Sequence, residues 1–324
     1  MWFQIITLQC PADQEHAPFQ NPPGSPGPYL DEVFRACDAL TPRQAVHFAL
    51  ETGYNISLKV LPLQKGIVYG PVSSRRLGVS LGINLMPTAR KVCSFNCVYC
   101  QYGRTAALSM RPDSAELPSL LDVERALRKA LAVMEAPRFI TFSGNGESTI
   151  HPDFPAIARA VRQVRDELSP GSQIALLSNS TGLLIPGISE AIDELIDLPV
   201  MKLDAGDEET FRAIARPAPG ITLENIAEGM RRLRKPFAVQ TLFVRGRVNN
   251  SEGPALDAWI ALVGEIRPTA VQIYSLDRPF PTRGLEIVPQ ERLEEIASQT
   301  NRETGIGVKA YGMTREKGEN PSWS

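Results

Sequence analysis

Three of the chain's five cysteines fall within eight consecutive positions, CSFNCVYC, as Cys93, Cys97 and Cys100. Three thiols this close are too crowded for a disulfide framework, but as soft ligands they suit a metal centre. A structural zinc site or an ordinary ferredoxin-type cluster takes four ligands. The fourth must therefore come from elsewhere: His151, His47 or Cys37 for zinc, or a group that is not part of the chain. Cys10 and Cys37 stand alone and read as ordinary free thiols. With an odd cysteine total, this predicts a reducing, cytoplasmic setting.

Other stretches carry groups that could bind or react. In TFSGNGES, Gly144 and Gly146 let the backbone approach a ligand closely, with Asn145 between them. Glu147 offers a carboxylate to an ammonium group. Ser178, Asn179 and Ser180 offer hydroxyl and amide groups, although the same residue types also make ordinary turns. Lys202 and Asp204 are two apart, so on a strand they share a face. They suit a carboxylate and ribose hydroxyls, or each other as an ion pair. Arginine forks grip carboxylate or phosphate at two points. Those in question are Arg75 and Arg76 in GPVSSRRLG, Arg216 in ARPAPG and Arg278 in SLDRPFP. Arg231, Arg232, Arg234 and Lys235 sit instead at a helix C-terminus, where cations suit the dipole and a solvated face is expected.

The elements that must position these groups alternate from residue 63 onward. Short β-rich runs at 79–85, 139–143, 173–178, 200–203, 238–244 and 270–274 alternate with amphipathic runs. The helices are predicted at 122–134, 154–168, 222–233, 254–266 and 289–301, with a short one ahead of Arg216. In the first of them Val123, Ala126, Leu127, Ala130, Leu131 and Met134 share one stripe at helical spacing. Such alternation predicts a parallel sheet with right-handed crossovers. Six units predict an α/β fold, a partial (β/α)6 TIM-type barrel, with a doubly wound open sheet as the competitor. Either architecture gathers functional loops at the C-terminal strand ends. The cysteines follow the first strand, residues 144–147 the second, Ser178 to Ser180 close the third, and Lys202 and Asp204 belong to the fourth. Four adjacent strand ends are thus expected at one mouth, with Arg278 joining after the sixth strand.

The C-x3-C-x2-C spacing, with Tyr99 just before the third cysteine, resembles the radical S-adenosylmethionine (radical SAM) superfamily. The resemblance spans roughly residues 65–312 and is most specific in the cysteine loop and the Gly-Glu segment. It implies that Cys93, Cys97 and Cys100 hold a [4Fe–4S] cluster whose open iron is bound by the amino and carboxylate groups of S-adenosylmethionine. One electron, from a flavodoxin- or ferredoxin-like donor, then cleaves the sulfonium to a 5′-deoxyadenosyl radical that takes hydrogen from a substrate. On this resemblance Tyr99, Gly144, Asn145, Gly146, Glu147, Ser178, Asn179, Ser180, Lys202 and Asp204 are expected cosubstrate contacts. Arg278, with Arg75, Arg76 and Arg216, is expected on the substrate side. The family's segment is usually Gly-Gly-Glu, and Gly-Asn-Gly-Glu here carries one residue more.

The stretch from Tyr69 to Gly103, with TFSGNGESTIHPDF and MKLDAGDEETFRAIARP, is most similar to a single-cluster branch related to wyosine-synthase-type proteins. Those relatives modify a guanosine in tRNA and carry further cysteines for a second cluster. Cys10 and Cys37 are too few to build one. The net charge of −2 gives no general attraction to nucleic acid, so any RNA contact would need a local basic patch.

No apolar run reaches the length of a membrane span. The start, MWFQIITLQCPADQ, has no basic residues ahead of its short apolar stretch, so export is not expected. Residues 1–62 read as a partly helical or disordered extension, with a linker at 21–28 and helices at 29–40 and from Thr41. Residues 63–312 read as the core and 313–324 as a tail. Three functions are in competition: a radical SAM enzyme acting on a small molecule or nucleoside, an activase or modifying enzyme acting on a protein or peptide, and a non-enzymatic iron–sulfur or zinc protein.

Overall fold

The computed structural model describes residues 60–312 apart from Pro279. The expected linker and helices of the extension, the tail, Cys10, Cys37 and His47 lie outside the described residues. In chain order the elements are β1 (Val68–Ser74), β2 (Gly78–Ile83), β3 (Val92–Cys93), β4 (Ala107–Leu108), α1 (Leu120–Leu131), β5 (Phe139–Phe142) and α2 (Phe154–Leu168). Then come β6 (Gln173–Ser178), α3 (Ile188–Leu195), β7 (Leu198–Lys202), α4 (Glu208–Ala215), α5 (Leu223–Arg231), β8 (Ala238–Leu242) and β9 (Val244–Gly246). The last are α6 (Gly253–Ile266), β10 (Ala270–Tyr274), β11 (Leu285–Ile287), α7 (Gln290–Thr304) and β12 (Val308–Tyr311).

Eight strands form one sheet in the order β1-β2-β5-β6-β7-β8-β10-β12. From β2 to β12 every pairing is parallel, and β1 alone is antiparallel. All six predicted strands are present. The sequence reading missed the two flanking ones: β1, exposed along most of its length, and β12, which follows the helix that was expected to end the fold. The run predicted at 238–244 stops at Leu242, and Val244 starts the separate β9, paired with β11. Helix α3 was also missed.

The order is open, with β1 and β12 as edges, and the sheet curves around its own interior. Side chains from β2 (Ser80), β5 (Thr141), β6 (Leu177), β8 (Leu242), β10 (Tyr274) and β12 (Tyr311) all line a single cavity of about 450 Å³. This is the partial barrel. Outside it, helices cover the sheet by ordinary amphipathic burial. Helix α1 starts with a capping box between Ser119 and Asp122 and buries Val123, Leu127 and Leu131. Helix α6 is seated most tightly. Its Trp259 is fully buried, stacks edge-on against Phe243 and donates its indole N–H to Leu203 O at 3.0 Å. A Cβ on Gly206 would lie 2.0 Å from the Ala258 carbonyl carbon, so only glycine lets the chain after β7 pass against this helix. The strand end carrying Asp204 is thereby fixed. Among the described residues no helix is long and apolar enough to cross a membrane.

Candidate active site

The cysteine loop is held at its neck and along its back. Lys91 O accepts from Ala106 N and Ala107 N at 3.0 and 3.1 Å, and Cys93 O accepts from Ser109 N at 3.0 Å, where β3 meets β4. Inside the loop Cys97 O accepts from Cys100 N, and Cys100 O from Gly103 N, giving successive tight turns. Its back docks on the C-terminus of α4. There Asn96 N donates to Ala215 O and Arg216 O, Val98 N donates to Ile214 O, and Phe95 meets Phe211 edge-on at 5.5 Å. Arg216, expected on the substrate side, is instead the left-handed cap of α4 (φ 48°), and its backbone supports the loop. It does not line the cavity.

The three thiols are free. Burial pushes the Cys93 thiol up to about 11, opposed chiefly by the charge of Lys91. Burial also raises Cys97, and Cys100 and Cys93 raise it further. Three thiolates sharing a desolvated loop repel one another unless a cationic centre sits among them. That donor chemistry fits an iron–sulfur cluster. It does not fit the zinc alternative through His151, whose ring nitrogens are both occupied: Nε2 lies 3.1 Å from Pro118 O and Nδ1 accepts from Asp153 N at 3.1 Å. Among the described residues no group of three His, Cys, Asp or Glu side chains forms a ready-made metal-ion cage.

Residues 144–147 do converge on the cysteine loop, but by packing. A Cβ on Gly146 would stand 1.8 Å from Val92 O, so the glycine loop lies directly on the strand that enters the cysteines. Gly144 adopts φ 134°, with Asn84 Oδ1 only 2.6 Å from where a Cβ would be. Both glycines line the cavity. Asn145 and Glu147 point elsewhere. Asn145 is buried, its amide accepting from Gln64 N and donating to Gln64 O and Pro87 O. Glu147 is 2% exposed and accepts from Thr149 N, Thr149 Oγ1, Ser178 Oγ and Asn179 N. Burial raises its carboxyl above the ordinary range against the pull of those donors. Both side chains, expected at the cosubstrate, are hydrogen-bonded within the chain.

The next strand end follows the same pattern. Ser178 is consumed between Glu147 and Ser180 N, and Ser180, at φ 75°, donates to Lys202 O at 3.2 Å. Asn179 turns towards the cysteines, donating to Ser94 Oγ at 2.8 Å and lying 3.7 Å from Cys93 Sγ. On β7, Lys202 pairs with Asp204 at 2.8 Å and donates to Tyr274 OH at 3.1 Å. Burial opposes the charge of Lys202, but Asp204 and Tyr274 outweigh it and its pKa is raised. Asp204 also accepts from Leu242 N and from the phenol of Tyr99.

Arg75, Arg76 and Arg278 line the same cavity, with Tyr99, Cys100, Gly144 and Gly146. Arg75 and Arg76 belong to the turn entering β2, yet they reach across the gap between the sheet's edges. Arg75 bonds Gly312 O at 2.5 Å and pairs with Asp277, and the Arg76 guanidinium lies 4.4 Å over the Tyr274 ring. The basic run after α5 is paired outward, Arg231 with Glu224 and Glu265 and Arg234 with Asp193.

Sequence reasoning passed over Lys91, Asn84 and every tyrosine except Tyr99. All five tyrosines among the described residues (Tyr69, Tyr99, Tyr102, Tyr274 and Tyr311) line this cavity. Tyr69 lies flat on Gly82, where a Cβ would be 2.2 Å from its ring, and its hydroxyl meets Ser143 Oγ at 2.5 Å. The usable signal was a charge two positions before Cys93 and an aromatic next to Gly70. Neither is distinctive alone.

Comparison with known proteins bears on the family and the fold. Residues 90–250 match the radical SAM superfamily. The UPF0026 protein slr1464 of Synechocystis is 34% identical over 218 residues, covering 66% of this chain and 77% of that protein. A Brachyspira hyodysenteriae protein named GTPase Obg is 31% identical over 260 residues, but the chain spans only 36% of its length. A radical SAM methyltransferase from Sphaerobacter thermophilus shares the fold, with a TM-score of 0.53 at 16% identity, over 86% of this chain and 84% of that one.

Proposed function

Because the chain belongs to the radical SAM superfamily, together with the UPF0026 proteins, and is an enzyme of that class, we propose that Cys93, Cys97 and Cys100 hold a [4Fe–4S] cluster with one iron open to S-adenosylmethionine. When bound, this pair supplies one-electron cleavage of the sulfonium, and hence a 5′-deoxyadenosyl radical able to take hydrogen from a substrate. A flavodoxin- or ferredoxin-like donor provides the electron. The observation that carries the reading is a shared mouth: Tyr99 and Cys100 of the cysteine loop line the same cavity as Gly144, Gly146, Arg76 and Arg278.

The chain's own residues divide the work. Backbone at Gly144 and Gly146 borders the cavity where no side chain intervenes. The Lys202–Asp204–Tyr99 chain fastens the cysteine loop to β7, so that the cosubstrate meets a rigid wall. Arg76 and Arg278, which have no carboxylate partner among the described residues, take an anionic group of the substrate. Tyr311, whose buried hydroxyl has no partner among them, lies in the same lining. A cavity of about 450 Å³ has the size of small-molecule sites. This favours a small anionic molecule or nucleoside over a protein substrate.

Anaerobic reconstitution with iron and sulfide tests the proposal. About four irons per chain should bind, and dithionite with S-adenosylmethionine should yield 5′-deoxyadenosine and methionine. Replacing Cys93, Cys97 and Cys100 together with alanine should abolish both, whereas Cys10→Ala and Cys37→Ala should abolish neither. Cluster loss in either single variant would mean a different ligand set.

A further inference from the structure

The neck of the cysteine loop holds a charge that the proposed chemistry leaves unused. Lys91 is 5% exposed, and its ammonium donates to Gly103 O at 2.8 Å across the neck. Gly103 N in turn donates to Cys100 O, so the ammonium is tied to the turn that presents the third cysteine. Among the described residues no carboxylate pairs with Lys91. A buried ammonium lacking a counter-anion is costly, and one hydrogen bond to a carbonyl does not neutralise it. Geometry ties it to the cysteines from both sides: Lys91 stands two residues before Cys93, and the carbonyl it grips belongs to Gly103, three residues after Cys100.

We propose that Lys91 is the buried counter-charge of an iron–sulfur cluster on Cys93, Cys97 and Cys100, and that it raises the cluster's reduction potential. The inference rests on the cluster reading above. Three thiolates make the cluster unit anionic, and one electron from the donor, with no bond made or broken, makes it more so. A fixed cation beside it stabilises the reduced form more than the oxidised one. The potential decides how readily a donor can start the reaction, so Lys91 is a tuning residue that never touches the reacting atoms.

The competing role is a plain clamp, in which only the bond to Gly103 O matters. Lys91→Gln keeps a donor for that carbonyl and removes the charge, whereas Lys91→Arg keeps both. The measurement is a redox titration of the reconstituted full chain, followed by the paramagnetic signal of the reduced cluster, with iron content determined in parallel. Lys91→Gln should lower the equilibrium constant for reduction at least tenfold, about 59 mV for a one-electron couple, with Lys91→Arg close to wild type. Iron lost from Lys91→Gln but kept by Lys91→Arg would show the same charge dependence as affinity. Equal potentials in wild type and an iron-loaded Lys91→Gln would overturn the proposal. So would equal shifts, or equal iron loss, in both variants. Wild-type protein that takes up no iron would end the cluster reading itself, a distinct failure that this inference would share.

Discussion

The phenol of Tyr99, one residue before Cys100, donates to the carboxylate of Asp204 beyond the end of β7. The other carboxylate oxygen of Asp204 takes Lys202 Nζ and Leu242 N, each at 2.8 Å. One buried acid therefore joins the cysteine loop, a buried lysine and the next strand. Asp204→Ala should leave Lys202 without its partner and cost about 3 kcal/mol of stability, the usual penalty for breaking a buried pair. Affinity for S-adenosylmethionine should fall at least tenfold, with iron content near normal. Unchanged affinity by equilibrium binding would remove Asp204 from the site.

The contact of Gly146 with Val92 makes a steric prediction. Alanine at 146 must displace either its own loop or the strand entering Cys93, because the obstacle at 1.8 Å is backbone. Overpacking of this kind costs about 2 kcal/mol, and iron uptake should fall with it. Gly171→Ala is the control, since a Cβ there meets nothing within 4 Å. Equal melting temperatures for the two variants would contradict the packing described.

Arg278 separates cofactor chemistry from substrate choice. Arg278→Ala should preserve slow, substrate-free cleavage of S-adenosylmethionine, and it should lose product formation once a substrate is supplied. Positioning can fail while the chemistry of the bound cofactors survives. Loss of both activities would make Arg278 a cofactor or structural residue.

A pH test lies away from the cavity. Asp197 accepts from Ile174 N and pairs with the nearly buried Arg165, both at 2.8 Å. Burial works to raise its pKa, but the Ile174 N–H and Arg165 outweigh that and hold it below the ordinary value. A folded pKa below the unfolded one adds stability above the unfolded value, and that stability is lost as pH falls through the folded value. Asp197→Asn should therefore lower the melting temperature at pH 7, and the gap should close as the pH drops below the carboxylate range. A constant gap at all pH values would show that the ion pair contributes through packing alone.

The superfamily was legible in the chain because its signature, the cysteine loop, is local. Cys93, Cys97 and Cys100 lie within one short turn-rich segment, so their spacing already decides how many thiols can reach one centre. The alternation of strands and helices was legible for the same reason, since side-chain periodicity registers within each element. The whole of β1 and of β12 escaped because edge strands lack the continuous apolar signal of strands buried on both faces.

What each polar side chain does was decided only in three dimensions. Asn145, Glu147 and Ser178 have the types of ligand-binding residues, yet Asn145 finds a partner 81 residues away at Gln64 and Glu147 finds Ser178 at the end of the neighbouring strand. Arg216 became a helix cap, while Arg75 and Arg76 reached the cavity across the open edge of the sheet. Lys91 carried no signal in the sequence, and folding put it out of water at the neck of the cysteine loop, on Gly103 O. The chain alone determines which groups are available and how they are spaced along an element. Burial and long-range pairing determine which of them are spent holding the fold and which are left facing the cavity, because an unsatisfied polar group inside a protein must find a partner wherever the fold provides one.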